Sequence, residues 1–197
     1  MAVISGGTTL IDNGTLDAAV PTGKMTLLST QTASASATIS FTSGIDSTYD
    51  SYVFKFYNMH PATNNVRFEV NFSTDSGSSY AVTKTTTFFR AYHNEAGSDS
   101  GLIYSTGNDL AQSTSNQRLQ TDIGNGDDES CVGELQLFNP SSTTFVKHFM
   151  ARTNSNNYAS YSPDDFAAGY CNTTSAINGV QFLFGSGNID SGVIKLY

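Results

Sequence analysis

The chain has 197 residues, 38% of them hydrophobic, which suits one undivided domain with a substantial core. Its net charge is −8, and its 9 basic residues are scattered singly, so the clustered basic face that nucleic acid requires is missing from the sequence. No apolar run is long enough to cross a bilayer as a helix, and no charged-then-apolar leader opens the chain; the expectation is synthesis in a cytoplasm, without membrane association.

Ser and Thr together number 50, while only 13% of residues are charged. A surface of hydroxyls and amides gains little from ionic screening and so tolerates variable salt. Lys is scarce, so the charged guards that protect exposed strand edges are few, and such edges are expected to be covered by the chain's termini or by neighbouring copies.

Residues 1–24 stand apart. Gly6-Gly7, Gly14 and Pro21 punctuate them, and their apolar residues come in pairs without sustained alternation. They read as an extended N-terminal docking arm. Val3, Ile4, Leu10, Ile11, Leu16 and Val20 are its candidate partner-binding residues, since a disordered tail carries less apolar surface.

From residue 25 onward bulky apolar residues alternate with polar ones, the mark of half-buried strands. Met25 to Leu28 and Ala33 to Phe41 are the first expected pair. Tyr52 to Tyr57 follows, then a turn at His60-Pro61-Ala62-Thr63-Asn64-Asn65 and a return over Arg67 to Phe72. Asp75-Ser76-Gly77-Ser78 is a hairpin turn, because Gly and Asp tolerate positive φ. Tyr80 to Tyr92 reads as a long strand with Thr85, Thr86 and Thr87 on an exposed pleat. Leu102 to Tyr104 and Arg118 to Ile123 are short strands between polar loops. Cys131 to Phe138 and Phe145 to Arg152 flank Asn139-Pro140, Asn154 to Asp165 reads as a polar loop, and Phe166 to Asn172, Ile177 to Phe184 and Gly192 to Tyr197 close the chain. About a dozen antiparallel strands predict an all-β fold: a two-sheet, jelly-roll-like sandwich over 25–197 with the arm extending from it.

Candidate chemistry is sparse. Asp127, Asp128 and Glu129 on a Gly-containing loop are a calcium candidate, though without the spacing of a helix-loop-helix calcium loop; a solvated acidic turn is the plainer reading. Asp164-Asp165 also reads as a water-facing pair. Glu69 and Glu134 sit where a glycosidase could place its carboxylates, but no Trp is present to form a sugar platform. His60, His93 and His148 are far apart, and no nucleophile elbow occurs. No catalytic residue, metal or cofactor is therefore assigned, and a non-enzymatic protein is expected. Cys131 and Cys171 allow one disulfide, but each sits in a predicted strand as a small buried apolar residue would. The Tyr-rich stretches Tyr49, Tyr52, Tyr57 and Tyr158, Tyr161, Tyr170 could line a glycan-binding surface or, equally, pack at strand edges.

The stretches Phe54-Lys55-Phe56-Tyr57-Asn58-Met59-His60-Pro61, Phe89-Arg90-Ala91-Tyr92-His93-Asn94-Glu95, Leu137-Phe138-Asn139-Pro140-Ser141-Ser142 and Gly192-Val193-Ile194-Lys195-Leu196-Tyr197 resemble, as a set, virion structural proteins of tailed bacteriophages from aquatic hosts, including phages of cyanobacteria. The resemblance implies a component of the particle surface, assembled in the host cytoplasm: a capsid decoration (cement) protein, or a tail-fibre or adhesin subunit. It implies as partners the major capsid protein or tail proteins, further copies of the chain, and for an adhesin a host-surface glycan.

Overall fold

The computed structural model describes residues 3–5, 8–12, 15–16 and 24–197, and among them every regular element is a strand. In chain order these are β1 (Val3–Ser5), β2 (Thr8–Asp12), β3 (Thr15–Leu16), β4 (Ser29–Ser36), β5 (Ile39–Phe41), β6 (Ser51–Pro61), β7 (Val66–Ser73), β8 (Lys84–Asn94), β9 (Ser100–Tyr104), β10 (Gln117–Ile123), β11 (Ser130–Phe138), β12 (Lys147–Asn156), β13 (Tyr161–Cys171), β14 (Gly179–Phe184) and β15 (Ile189–Leu196). An eight-stranded antiparallel sheet runs β4-β15-β6-β11-β12-β13-β8-β9, and a four-stranded one runs β10-β7-β14-β5. Together they make the expected sandwich, and the strand order is compatible with a jelly-roll-like arrangement.

Alternation explains the layering. β12 runs buried and exposed residue by residue from Lys147 to Ser155, and β6 buries Tyr52, Phe54 and Phe56 while Val53, Lys55 and Tyr57 lie on its other face. The inner faces meet in an aromatic knot. Phe182 of β14 lies 5.3 Å from Phe54, 5.1 Å from Phe56 and 5.9 Å from Phe68, and Phe41 of β5 packs edge-on to Phe54 at 5.3 Å. Such pairs add about 0.5–1.5 kcal/mol each beyond the area they bury.

Several expectations are corrected. The described part of the arm is not simply extended: β1, β2 and β3 pair antiparallel with one another, Val3 with Ile11 and Ile11 with Leu16. The runs are two to five residues long, too short for alternation to show. No strand pairing joins this meander to the two larger sheets. Val20 lies outside the described residues, as does the side chain of Leu10.

Residues 25–28 form no strand, although Leu28 donates its N–H to the Leu196 carbonyl at 2.8 Å. Ala33 to Phe41 is two strands in different sheets, broken after Ser36, with Ala35 at φ 49°. The Thr-rich strand starts at Lys84, not Tyr80, and Thr86 is buried on its inner face. His60 and Pro61 end β6 instead of forming a turn.

Asn154 to Asp165 is not a loop. β12 continues to Asn156, a tight turn follows, and β13 begins at Tyr161. Pro163 is tolerated there because the ladder between β12 and β13 ends at the Asn154–Asp164 pair, so only β8 still pairs with the strand at that point. Cys131 and Cys171 are both buried and free.

Candidate functional site: a tyrosine-walled hollow beside a buried ion cluster

Two features of the inner face of β8 and β13 build the site. On β8, Lys84, Thr86 and Phe88 are buried, and period-2 alternation carries Arg90 and Tyr92 to the same face. On β13 the same rule turns Tyr161, Pro163, Asp165 and Ala167 inward and leaves Asp164 and Phe166 on the outer face. Asp164 and Asp165 are therefore not a water-facing pair. Asp165 is 0% exposed. Asp164 meets Arg152 on the outer face at 2.7 Å.

Around Asp165 the polar groups converge. Arg90 approaches it as a fork, Nε to Oδ1 at 2.6 Å and Nη2 to Oδ2 at 2.9 Å. Gln120 Nε2 and the Thr121 N–H donate to Oδ2 at 3.0 and 3.1 Å. Arg90 also reaches Asp122 at 2.9 Å and the Thr121 hydroxyl. The cluster thus ties β8 and β13 of one sheet to β10 of the other. Thr153 of β12 adds a further tie by donating its hydroxyl to the Leu119 carbonyl at 2.6 Å.

Burial acts against a charge on Arg90, but the hydrogen bonds and charges of Asp165 and Asp122 outweigh it and raise its pKa above the ordinary value. Burial likewise lifts the Asp165 carboxyl above its usual range, against the pull of Arg90 and the Thr121 N–H. Both Asp165 oxygens are satisfied and shielded, while the Gln120 Oε1 beside them is buried without a hydrogen-bond partner among the described residues. Asp165 is sealed inside the cluster, while Arg90 and Asp122 also reach the surface beside it.

Beside it the sandwich opens into a hollow lined by Arg90, Tyr92, Ile103, Asp122, Tyr158 and Tyr161. β8, β9 and β13 floor it, and Asp122 and the turn after β12 wall it. The Tyr158 N–H donates to the Asp122 carbonyl at 3.2 Å. The Tyr92 and Tyr161 rings lie 6.0 Å apart, and the Tyr161 hydroxyl donates to Asp99 at 3.0 Å, which raises its pKa. Aromatic faces next to a guanidinium and a half-exposed carboxylate are the groups that hold a sugar ring, by stacking and by hydrogen bonds to its hydroxyls.

The outer face of the eight-stranded sheet is different in kind. One rung crosses it as Tyr104, Phe89, Phe166, Arg152, Glu134, Lys55 and Lys195 on successive strands. Phe89 stacks on Phe166 at 4.6 Å, and Arg152 lies over Phe166 at 5.1 Å. Both edges of this sheet are free of charge: β4 reads Ser-Thr-Gln-Thr-Ala-Ser-Ala-Ser and β9 reads Ser-Gly-Leu-Ile-Tyr, with Leu102 72% exposed.

The other candidates stay apart. Asp127 and Asp128 are exposed, while Glu129 folds back to accept the Gly126 N–H at 2.6 Å, so its carboxylate closes its own loop. Among the described residues no three His, Cys, Asp or Glu side chains converge as a metal site. Glu69 lies on β7 and Glu134 on β11, in different sheets. His60 contacts the Gly126 carbonyl at 3.1 Å and Asp190 at 3.4 Å, and His148 packs 6.1 Å from the Tyr170 ring. Of the arm residues, Val3, Ile4 and Leu16 are exposed and Ile11 is half-buried. Tyr158 and Tyr161 are in the hollow; Tyr170, Tyr49, Tyr52 and Tyr57 are not, and Tyr52 is buried in the core. Neither Arg90 nor Asp122 was singled out by the sequence: with Phe88 and Phe89 adjacent, alternation alone does not say which face of the strand Arg90 shares.

No family model, curated protein or solved structure matches this chain.

Proposed function

We propose that the protein is a non-enzymatic structural component of a bacteriophage virion, a capsid decoration protein that binds the major capsid protein and further copies of itself. What carries the reading is the pair of uncharged strand edges, β4 and β9, on a sheet whose outer face also bears an exposed aromatic stripe. Unpaired N–H and C=O groups without Lys, Glu or Pro guards are a template for another chain, which a monomer working alone avoids. The N-terminal meander supports the same reading, since it exposes Val3, Ile4 and Leu16 and makes no strand pairing with the sandwich.

Counting copies in purified virions tests this. Hundreds per particle fit a capsid lattice; a dozen or so would overturn decoration. The tyrosine-walled hollow favours a second reading, a tail-fibre or adhesin subunit that binds host-surface glycan. A glycan array with the Tyr158→Ala variant as control separates the two: saturable binding lost in the variant, at low copy number, supports the adhesin.

A further inference from the structure

At the other end of β8 the chain buries an amine with no counter-charge. Lys84 is 0% exposed and Asn71 2% exposed, and among the described residues no carboxylate lies within ion-pair distance of the Lys84 ammonium. A buried ammonium without a partner is costly, and a fold keeps one only where something relieves the cost. The Lys84 Nζ instead lies 2.7 Å from the Asn71 Oδ1 and 2.7 Å from the Val82 carbonyl. β7, which carries Asn71, is in the four-stranded sheet, and β8 is in the eight-stranded one, so this contact bridges the sandwich.

We propose that Lys84 and Asn71 condense into an intramolecular isopeptide bond that locks the two sheets together covalently. The Asn71 amide is arranged for it. Its Oδ1 accepts the Phe72 N–H at 2.9 Å, a fixed donor where negative charge develops as the carbon turns tetrahedral. Its Nδ2, the leaving nitrogen, donates to the Thr114 carbonyl at 3.0 Å and to Asn116 Oδ1 at 2.9 Å. Asn116 is held in turn by Glu69 at 3.2 Å. The amide is therefore held from rotating and from presenting its nitrogen to the amine, and the Lys84 Nζ is kept in hydrogen-bond contact with the amide whose carbon it would attack.

The nucleophile must be the neutral amine, and burial lowers the Lys84 pKa to about 8, so a usable fraction is uncharged near neutrality. The balance is simple. The ammonium first gives a proton to solvent, and the amine lone pair forms the bond to the Asn71 side-chain carbon. The bond from that carbon to Nδ2 then breaks, and one amine hydrogen leaves with it as ammonia. No oxidant, reductant or co-reactant is consumed. The product is a neutral secondary amide, which removes the uncompensated charge that the unreacted fold carries.

The test is the mass of the denatured wild-type protein after incubation at about pH 9, above the amine's shifted pKa. The expected result is a mass lower than the sequence by one ammonia. Trypsin should no longer cut after Lys84, so that the peptide spanning 68–90 appears uncut, lighter by one ammonia and looped between Asn71 and Lys84. A succinimide at an Asn-Gly step also loses ammonia, but it leaves Lys84 cleavable and reopens in mild base. The Lys84→Arg variant should keep the full mass of its own sequence. A wild-type protein at full sequence mass, with Lys84 still cleaved, overturns the proposal, and that measurement needs no variant to fold.

Discussion

Replacing Arg90 with Met is the sharpest probe of what joins the two sheets. The substitution keeps most of the side-chain volume but removes both arms of the fork on Asp165, at 2.6 and 2.9 Å, and the contact with Asp122. Asp165 stays fully buried, with only Gln120 and the Thr121 N–H left to it. Removing one partner of such a pair costs about 3–5 kcal/mol, mainly for the charge left behind, whereas exchanging both partners for apolar residues is close to neutral. With a denaturant slope of about 1–3 kcal/mol/M in urea, the midpoint should fall by roughly 2 M.

The loss should also depend on pH in a definite direction. Without Arg90 the folded Asp165 carboxyl titrates further above its unfolded value. Between those two values the folded state holds a proton that the unfolded chain has released, so stability falls as pH rises through that window. The variant's deficit relative to wild type should therefore be smaller near pH 5 than near pH 8, by about 1.4 kcal/mol for each unit of added shift crossed. Urea melts of wild type, Arg90→Met and Arg90→Met/Asp165→Leu at both pH values decide it. A single variant within about 1 kcal/mol of wild type at both, or a double variant no better than the single one, would refute the reasoning.

Gly133 sits in the centre of the eight-stranded sheet at φ +154°, where an added Cβ would run into the Arg152 carbonyl and Thr153, so Gly133→Ala should cost about 2–3 kcal/mol by thermal melt. Deleting residues 1–24 should leave the melting temperature of the sandwich nearly unchanged, since no strand pairing joins β1–β3 to the larger sheets, while particle incorporation is lost. Chelator treatment should leave the melt unshifted, because the Glu129 carboxylate already closes its own loop through Gly126; a large drop would restore the calcium reading of Asp127 to Glu129.

Alternation made the sandwich legible because most strands bury one face: β12 reads in and out along its length, and the expected Leu102–Tyr104 and Arg118–Ile123 strands lie within β9 and β10. Alternation is uninformative where strands are very short, as in β1 to β3, and where one apolar stripe crosses between sheets, as at Ala33 to Phe41. It misleads where polar residues face inward. Residues 154–165 have the composition of a loop, yet Asp165 sits two residues from Pro163 and from Ala167, which are both buried.

The interior is built in two styles, and that division governs what the surface can do. Under β6, β7 and β14 it is closed by Phe rings whose packing needs no partner outside the chain. Under β8, β10 and β13 it is closed largely by charge and hydrogen bonds, whose directionality holds the Arg90, Asp122 and Asp165 groups in fixed places. The hollow at the mouth of the sandwich borrows Arg90 and Asp122 from that second half, so its polar groups are positioned before any ligand arrives. The unguarded edges and the aromatic stripe lie on the other side of the same sheet or along its rims. The proposed role would use this division: β4 and the outer face can be given to neighbouring copies without covering the hollow, whereas β9 borders it through Ile103. Arg90→Met, which unfastens the cluster, would loosen the hollow without altering either strand edge.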